Sequence, residues 1–291
     1  MTQKQEINDP KIQVGIDYIS LTAHTKYSSD LPVIHPAVET AWRDEGKGMI
    51  GYSISRRCRK TGIVEAHDPN RPDMGRYVQY SGDALARADV SAMEILYYHF
   101  LADHKITRID IAVDFHNTGL TWDELTTVSE RGDIITKSKN ITQFCGVAGT
   151  PGGTIYIGSP KSTKRMRIYD KAAEQGVDKD WYRMELQLRK GHAMDAAGVI
   201  GRSTNRLADM LALVRGFADV QLPQIQEAWQ SAPLPLRTPR KQSKTRRWLI
   251  QDVAKAMTAY IMDTEEDDLL EDFYGQVKSN LHEARNGKSK P

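Results

Sequence analysis

Tyr169 and three carboxylates, Asp110, Asp114 and Glu185, have the types and spacing for an activated nucleophile beside a cluster of hard oxygen ligands. In RMRIYDK (165–171), Met166 and Ile168 share one strand face, while Arg165, Arg167, Tyr169 and Lys171 share the other. The phenol therefore belongs to a charged row. A free phenol titrates near 10, so attack at neutral pH needs neighbouring cations or a metal-polarised electrophile. Arg167 and Lys171 are the candidate cations, with Tyr169 and Lys171 as the catalytic pair. In RIDIAVDF (108–115), Asp110 and Asp114 lie on one face, about 13 Å apart by the rise of a strand. Glu185, in YRMELQLR (182–189), can approach either acid from a neighbouring strand. Hard oxygens of this kind suit Mg²⁺ or Mn²⁺ held through few carboxylates and several waters. The competing reading pairs the three acids with Arg108, Arg167 or Arg183 on a solvated sheet face, and makes Tyr169 an ordinary strand tyrosine.

These side chains need strands with one apolar and one polar face. Ile109, Ile111, Val113 and Phe115 point away from Asp110 and Asp114, and Tyr182, Met184, Leu186 and Leu188 point away from Arg183, Glu185, Gln187 and Arg189. GGTIYIGS (152–159) supplies a hairpin partner for the Tyr169 strand through the turn PKSTK. Further strand signals fall at 12–24, 49–56 and 76–81, a short helix at 36–45, and helices at 83–104 and 204–218. The expected class is α+β, an antiparallel sheet with helices on one face and an open polar face on the other. Its expected division is a β-rich half at 1–105, a half carrying the chemistry at 106–220, a basic linker at 221–247 and a helical tail at 248–291.

The charge is nearly balanced, 40 Lys+Arg against 38 Asp+Glu, which excludes a histone-like cationic wrapper and an acidic disordered tail protein. Seven of those acids lie in 263–272, however, so the rest of the chain is distinctly basic. Cys58 and Cys145, far apart, support neither a disulfide framework nor a zinc site. Eight histidines include no HxH pair and no HExxH, and His116 reads as a surface residue. The polar start MTQKQEINDPKIQ and the lack of a ~20-residue apolar run point to a cytoplasmic protein without a membrane partner. SRRCRK (55–60), KSTKRMR (161–167) and RTPRKQSKTRR (237–247), with aromatic residues nearby, favour nucleic acid as the partner.

RIDIAVDF, TIYIGSPKSTKRMRIYDKAAEQ and WYRMELQLR, spanning about 80 residues, together resemble the rolling-circle replication initiators of the Rep_trans type, a family that also includes phage replication proteins and relaxases of integrative elements. KTRRWL near the C-terminus adds to the likeness. The resemblance implies an HUH-endonuclease-like fold in which carboxylates replace the paired metal-binding histidines. It implies metal-dependent nicking and joining of single-stranded or hairpin origin DNA through a 5′-phosphotyrosine on Tyr169, with Mg²⁺ or Mn²⁺ at Asp110, Asp114 and Glu185. Lys161, Lys164, Arg165, Arg167, Arg183 and Arg189 would contact DNA. Host helicase and polymerase would act with it, since no GxxxxGK[ST] loop is present. Where many relatives carry a second tyrosine, this chain has Ala172 and Ala173. Termination is left to Tyr156, Tyr182 or the Tyr169 of a second copy in a homodimer. Two alternatives stand beside this: a DNA-binding regulator without catalysis, and a tyrosine recombinase, which needs no metal.

Overall fold

The computed structural model describes residues 11–23, 42–88, 91–101, 104–145, 153–230 and 275. Period-2 alternation builds most of it. Ten strands form one antiparallel sheet: β1 (Lys11–Ala23), β2 (Trp42–Asp44), β3 (Ile54–Cys58), β4 (Val64–His67), β5 (Arg76–Tyr80), β6 (Lys105–His116), β8 (Ile141–Cys145), β9 (Gly153–Ile157), β10 (Lys164–Asp170) and β11 (Trp181–Arg189), in the order β2-β3-β4-β5-β1-β6-β11-β10-β9-β8. A separate pair joins β7 (Ile134–Thr136) to β12 (Ala218–Val220). The helices are α1 (Gly82–Ala86), α2 (Ala92–Leu101), α3 (Trp122–Arg131), α4 (Lys171–Gln175), α5 (Gly191–Arg202), α6 (Arg206–Phe217) and α7 (Pro223–Trp229).

The apolar rows named above are the core. Ile109, Ile111, Val113, Phe115, Met166, Ile168, Met184 and Leu186 are all buried, and α5 and α6 pack against β6 and β11. Burying each such side chain contributes roughly 1.5–3 kcal/mol. The expected hairpin β9–β10 is present, with Ile168 opposite Ile155 and Tyr169 opposite Thr154. It begins to turn at Gly158, whose φ of +98° favours glycine.

Several expectations need correction. Residues 42–44 of the helix expected at 36–45 are strand β2, and 36–41 lie outside the described residues. The helix expected at 83–104 is two, α1 and α2. Residue 105 does not divide the sheet, because β1 sits between β5 and β6 and joins both halves in one ladder. Within the expected linker, Pro223 opens α7 at a first-turn position where its missing N–H costs nothing, and Trp229 is buried at its end. The basic run 237–247, KTRRWL, the acidic stretch 263–272 and all but position 275 of the tail lie outside the described residues.

Candidate active site

Tyr169 is the last residue but one of β10. Asp170 then caps α4 by accepting a hydrogen bond from the Ala173 N–H at 2.8 Å, so Lys171 begins the helix. This strand-to-helix corner fixes the phenol on the polar face. Tyr169 is only 3% exposed, which sets it apart from a water-facing strand tyrosine. Its hydroxyl donates to Glu185 Oε2 at 3.3 Å, and the Arg167 guanidinium lies 4.3 Å from its ring centre. Lys171 Nζ is 5.7 Å from the ring and pairs with Glu174. Burial, then the Glu185 charge, hold the phenol well above its ordinary pKa, while Arg167 and Arg183 oppose that rise.

The register places the acids. Asp110 faces Gln187, Ala112 faces Glu185 and Asp114 faces Arg183, so Glu185 is the diagonal neighbour of both aspartates. The face is polar but not wet: Asp110 is 1% exposed, Glu185 5% and Arg183 9%. Each acid has an arginine. Arg108 binds Asp110 through Nε at 2.8 Å, Arg167 Nη2 binds Glu185 Oε2 at 2.6 Å, and Arg183 grips Asp114 from Nε and Nη2 at 2.7 and 2.8 Å. The ion pairs of the competing reading are thus present, in a buried setting instead of a solvated one.

Among the described residues no three His, Cys, Asp or Glu side chains gather into a group able to hold a metal ion. Asp114 is held by Trp181 Nε1 (2.6 Å) and by Arg183, which together take both acceptor positions of Oδ1 and one of Oδ2, so a cation would reach it only through Oδ2. Arg108 takes both oxygens of Asp110, whereas Arg167 and Tyr169 bind Glu185 through Oε2, so Glu185 Oε1 has no hydrogen bond among the described residues; burial raises the pKa of both acids and the arginines oppose that rise. These are two buried hard-oxygen carboxylates on adjacent strands, and a divalent cation held by them would share or displace the Arg108 and Arg167 that now neutralise them.

A family model described as replication initiation factor matches residues 104–272, more than half of the chain, and spans the strands carrying Tyr169 and all three acids. The chain belongs to the replication initiation factor family. Membership agrees with the resemblance carried by the three sequence blocks. NicK of Bacillus subtilis (strain 168), named as a candidate DNA relaxase, is 25% identical over 295 residues, covering 88% of this chain and 82% of NicK. A solved structure of a rolling-circle replication initiator protein from Geobacillus stearothermophilus aligns with a TM-score of 0.65 at 20% identity, over 78% of this chain and 99% of that one. The likeness confirms the expected fold class, a large antiparallel sheet with helices.

Of the basic residues expected on DNA, Arg165, Arg167 and Arg189 stand around one cavity on the polar face beside Tyr169. Lys161 is exposed in the β9–β10 turn. Lys164 belongs to the other face, with Nζ 5.8 Å from the Phe217 ring of α6. Arg183 is buried and held by Asp114 and by Asp17 at 2.8 Å, so its guanidinium is engaged within the protein. Asp17 was not anticipated. It is the extra residue where the β1–β6 register slips between Ile16 and Tyr18, and such a bulge re-aims a side chain without any local sequence mark. Trp181 was also missed as a partner of Asp114, although it opens the WYRMELQLR block; its indole stacks on His116 at 5.1 Å. No helix among the described residues is long and apolar enough to cross a membrane.

Proposed function

We propose that this replication initiation factor nicks one strand of origin DNA through Tyr169 and thereby primes rolling-circle synthesis. The observation that carries this reading is the buried phenol of Tyr169, which donates to Glu185 beneath the Arg167 guanidinium at the family's tyrosine block. Tyr169 Oη bonds to the scissile phosphorus as the P–O3′ bond breaks. The phenolic proton leaves along the hydrogen bond toward Glu185 Oε2, and the departing 3′ oxygen takes up a proton to become a free 3′-OH. Arg167, over the ring, stabilises the phenolate character that develops. One phosphodiester is exchanged for another, so rejoining needs no outside energy source.

Asp110 and Glu185 would hold Mg²⁺ or Mn²⁺, which supplies charge neutralisation at the phosphate when bound. The released 3′-OH suits extension by a host polymerase behind a host helicase. A groove of about 380 Å³ at the β2–β3 end of the sheet, lined by Arg43, Arg57, Arg59 and Arg87, supports a DNA-recognition role for the N-terminal half. A relaxase role, on an integrative element, is the second reading; the likeness to NicK favours its relaxase part. It uses the same chemistry at the same residues. Incubating an origin oligonucleotide with Mg²⁺ or Mn²⁺ tests the proposal: the wild type forms a covalent protein–DNA adduct, a regulator without catalysis forms none, and adduct formation surviving EDTA favours the recombinase class.

A further inference from the structure

Beside Tyr169 the polar face opens into a cavity of about 240 Å³ bounded by Arg108 of β6, Arg165 and Arg167 of β10, Arg189 of β11 and Tyr156 of β9. Its four guanidiniums differ. Arg108 and Arg167 are neutralised by Asp110 and Glu185. Arg165 and Arg189 have no carboxylate partner among the described residues: Arg189 reaches only the Pro160 carbonyl at 3.0 Å, and Arg165 Nε is buried without a hydrogen-bond partner. Two uncompensated charges, one with an orphaned buried N–H, call for an anion with several acceptor oxygens.

The guanidiniums are also fixed in place. Arg108 lies 4.0 Å from the Tyr18 ring centre, Arg165 3.9 Å from that of Tyr156 and Arg167 4.3 Å from that of Tyr169. Stacking occupies the flat face of a guanidinium and leaves its in-plane N–H edge to a ligand, the geometry that suits phosphate. The volume is small for a typical organic ligand and sufficient for one phosphodiester with part of its sugar. Arg165, Arg167 and Tyr169 follow one another at ~6.8 Å along the same face of β10, a repeat comparable with the backbone of an extended nucleic-acid strand.

We propose that this cavity seats the phosphodiester next to the one that Tyr169 attacks, with Arg165 and Arg189 as its principal ligands. The inference rests on the proposed nicking activity and adds the register in which the strand is held. The test is a set of origin oligonucleotides, each with one phosphodiester near the nick replaced by a neutral methylphosphonate. In the wild type, one replacement adjacent to the scissile linkage raises KM about tenfold, the value of one charge-assisted contact. In Arg165→Gln, and separately in Arg189→Gln on a different strand, KM for the unmodified oligonucleotide rises by a similar factor and that same replacement costs little more. Arg165→Lys, which keeps the charge, restores part of the sensitivity. If the replacement costs the same factor in wild type and in both glutamine variants, the seat is elsewhere. If free inorganic phosphate at millimolar concentration protects Arg165 from guanidine-directed labelling while the oligonucleotide does not, the cavity serves a small anion and the proposal also fails. Absence of a Tyr169 adduct in the wild type would overturn the nicking reading itself, a separate result.

Discussion

At the scale of residues, the site is a phenol set among opposing charges, Glu185 and Glu174 against Arg167 and Arg183. Burial and Glu185 raise the Tyr169 pKa while Arg167 lowers it, so the two neighbours shift it in opposite directions when removed. In a spectroscopic titration differenced against Tyr169→Phe, the phenol ionises above the free value of ~10. Glu185→Gln brings that titration to lower pH and Arg167→Gln moves it higher; the reverse order would contradict the assigned contacts. Because the folded pKa lies above the unfolded one, this phenol's contribution to stability is complete below pH ~10 and is lost as the pH rises toward the folded value. Asp110→Ala is expected to lower metal-dependent cleavage at least tenfold while changing DNA affinity less, measured by adduct yield against anisotropy. Equal losses would mark Asp110 as the support of Arg108 alone. Tyr169 and its acids were legible because a charged row alternates with an apolar one. Asp17 was not, since a bulge gives no sign in the sequence, and the acid–arginine pairing was legible only as a rival reading.

At the scale of elements, strands were easier to read than their neighbours in the sheet. RIDIAVDF and YRMELQLR alternate so regularly that both faces follow from the pleat, but that β1 lies beside β6 depends on contacts between residues about a hundred positions apart. The segment TWDELTTVSERG went unread although it holds a complete helix signature: Thr121 and Glu124 form a capping box and Gly132 closes α3 in the left-handed region. Thr121→Ala should cost about 1 kcal/mol in denaturant unfolding. A sharper test lies where α3 meets the hairpin carrying Tyr169. A Cβ on Gly153 would stand 2.0 Å from the Trp122 ring, so Gly153→Ala should destabilise by about 1–3 kcal/mol and disturb the docking of β9. Unchanged stability would mean that this contact gives way freely.

At the scale of the molecule, near-neutral composition hides a partition of charge. With seven acids confined to 263–272, the remainder carries 40 basic against 31 acidic residues, and the described part shows arginines around two openings of one sheet. From β3 to β10 is six strand spacings along the sheet. On the proposed function, the two openings would take different parts of a hairpin origin, a duplex stem and the strand to be cut. Arg59→Glu with Arg87→Glu should weaken binding of a duplex-stemmed origin hairpin at least tenfold and flatten its salt dependence, with little effect on a short single strand spanning the nick; equal effects on both would deny the groove this role. The expected basic linker opens instead on helix α7, where Pro223 stands at a helix start and Trp229 anchors the helix in the core. The central claim is that Tyr169 becomes bonded to DNA. The direct measurement is intact-mass analysis of the protein after incubation with a cleavable origin oligonucleotide and Mg²⁺ or Mn²⁺. The expected result is a mass increase equal to the 3′-side fragment, mapped to the peptide containing Tyr169 and absent from Tyr169→Phe. An adduct of the same mass on Tyr169→Phe, or one mapped to Tyr156 or Tyr182, would contradict it.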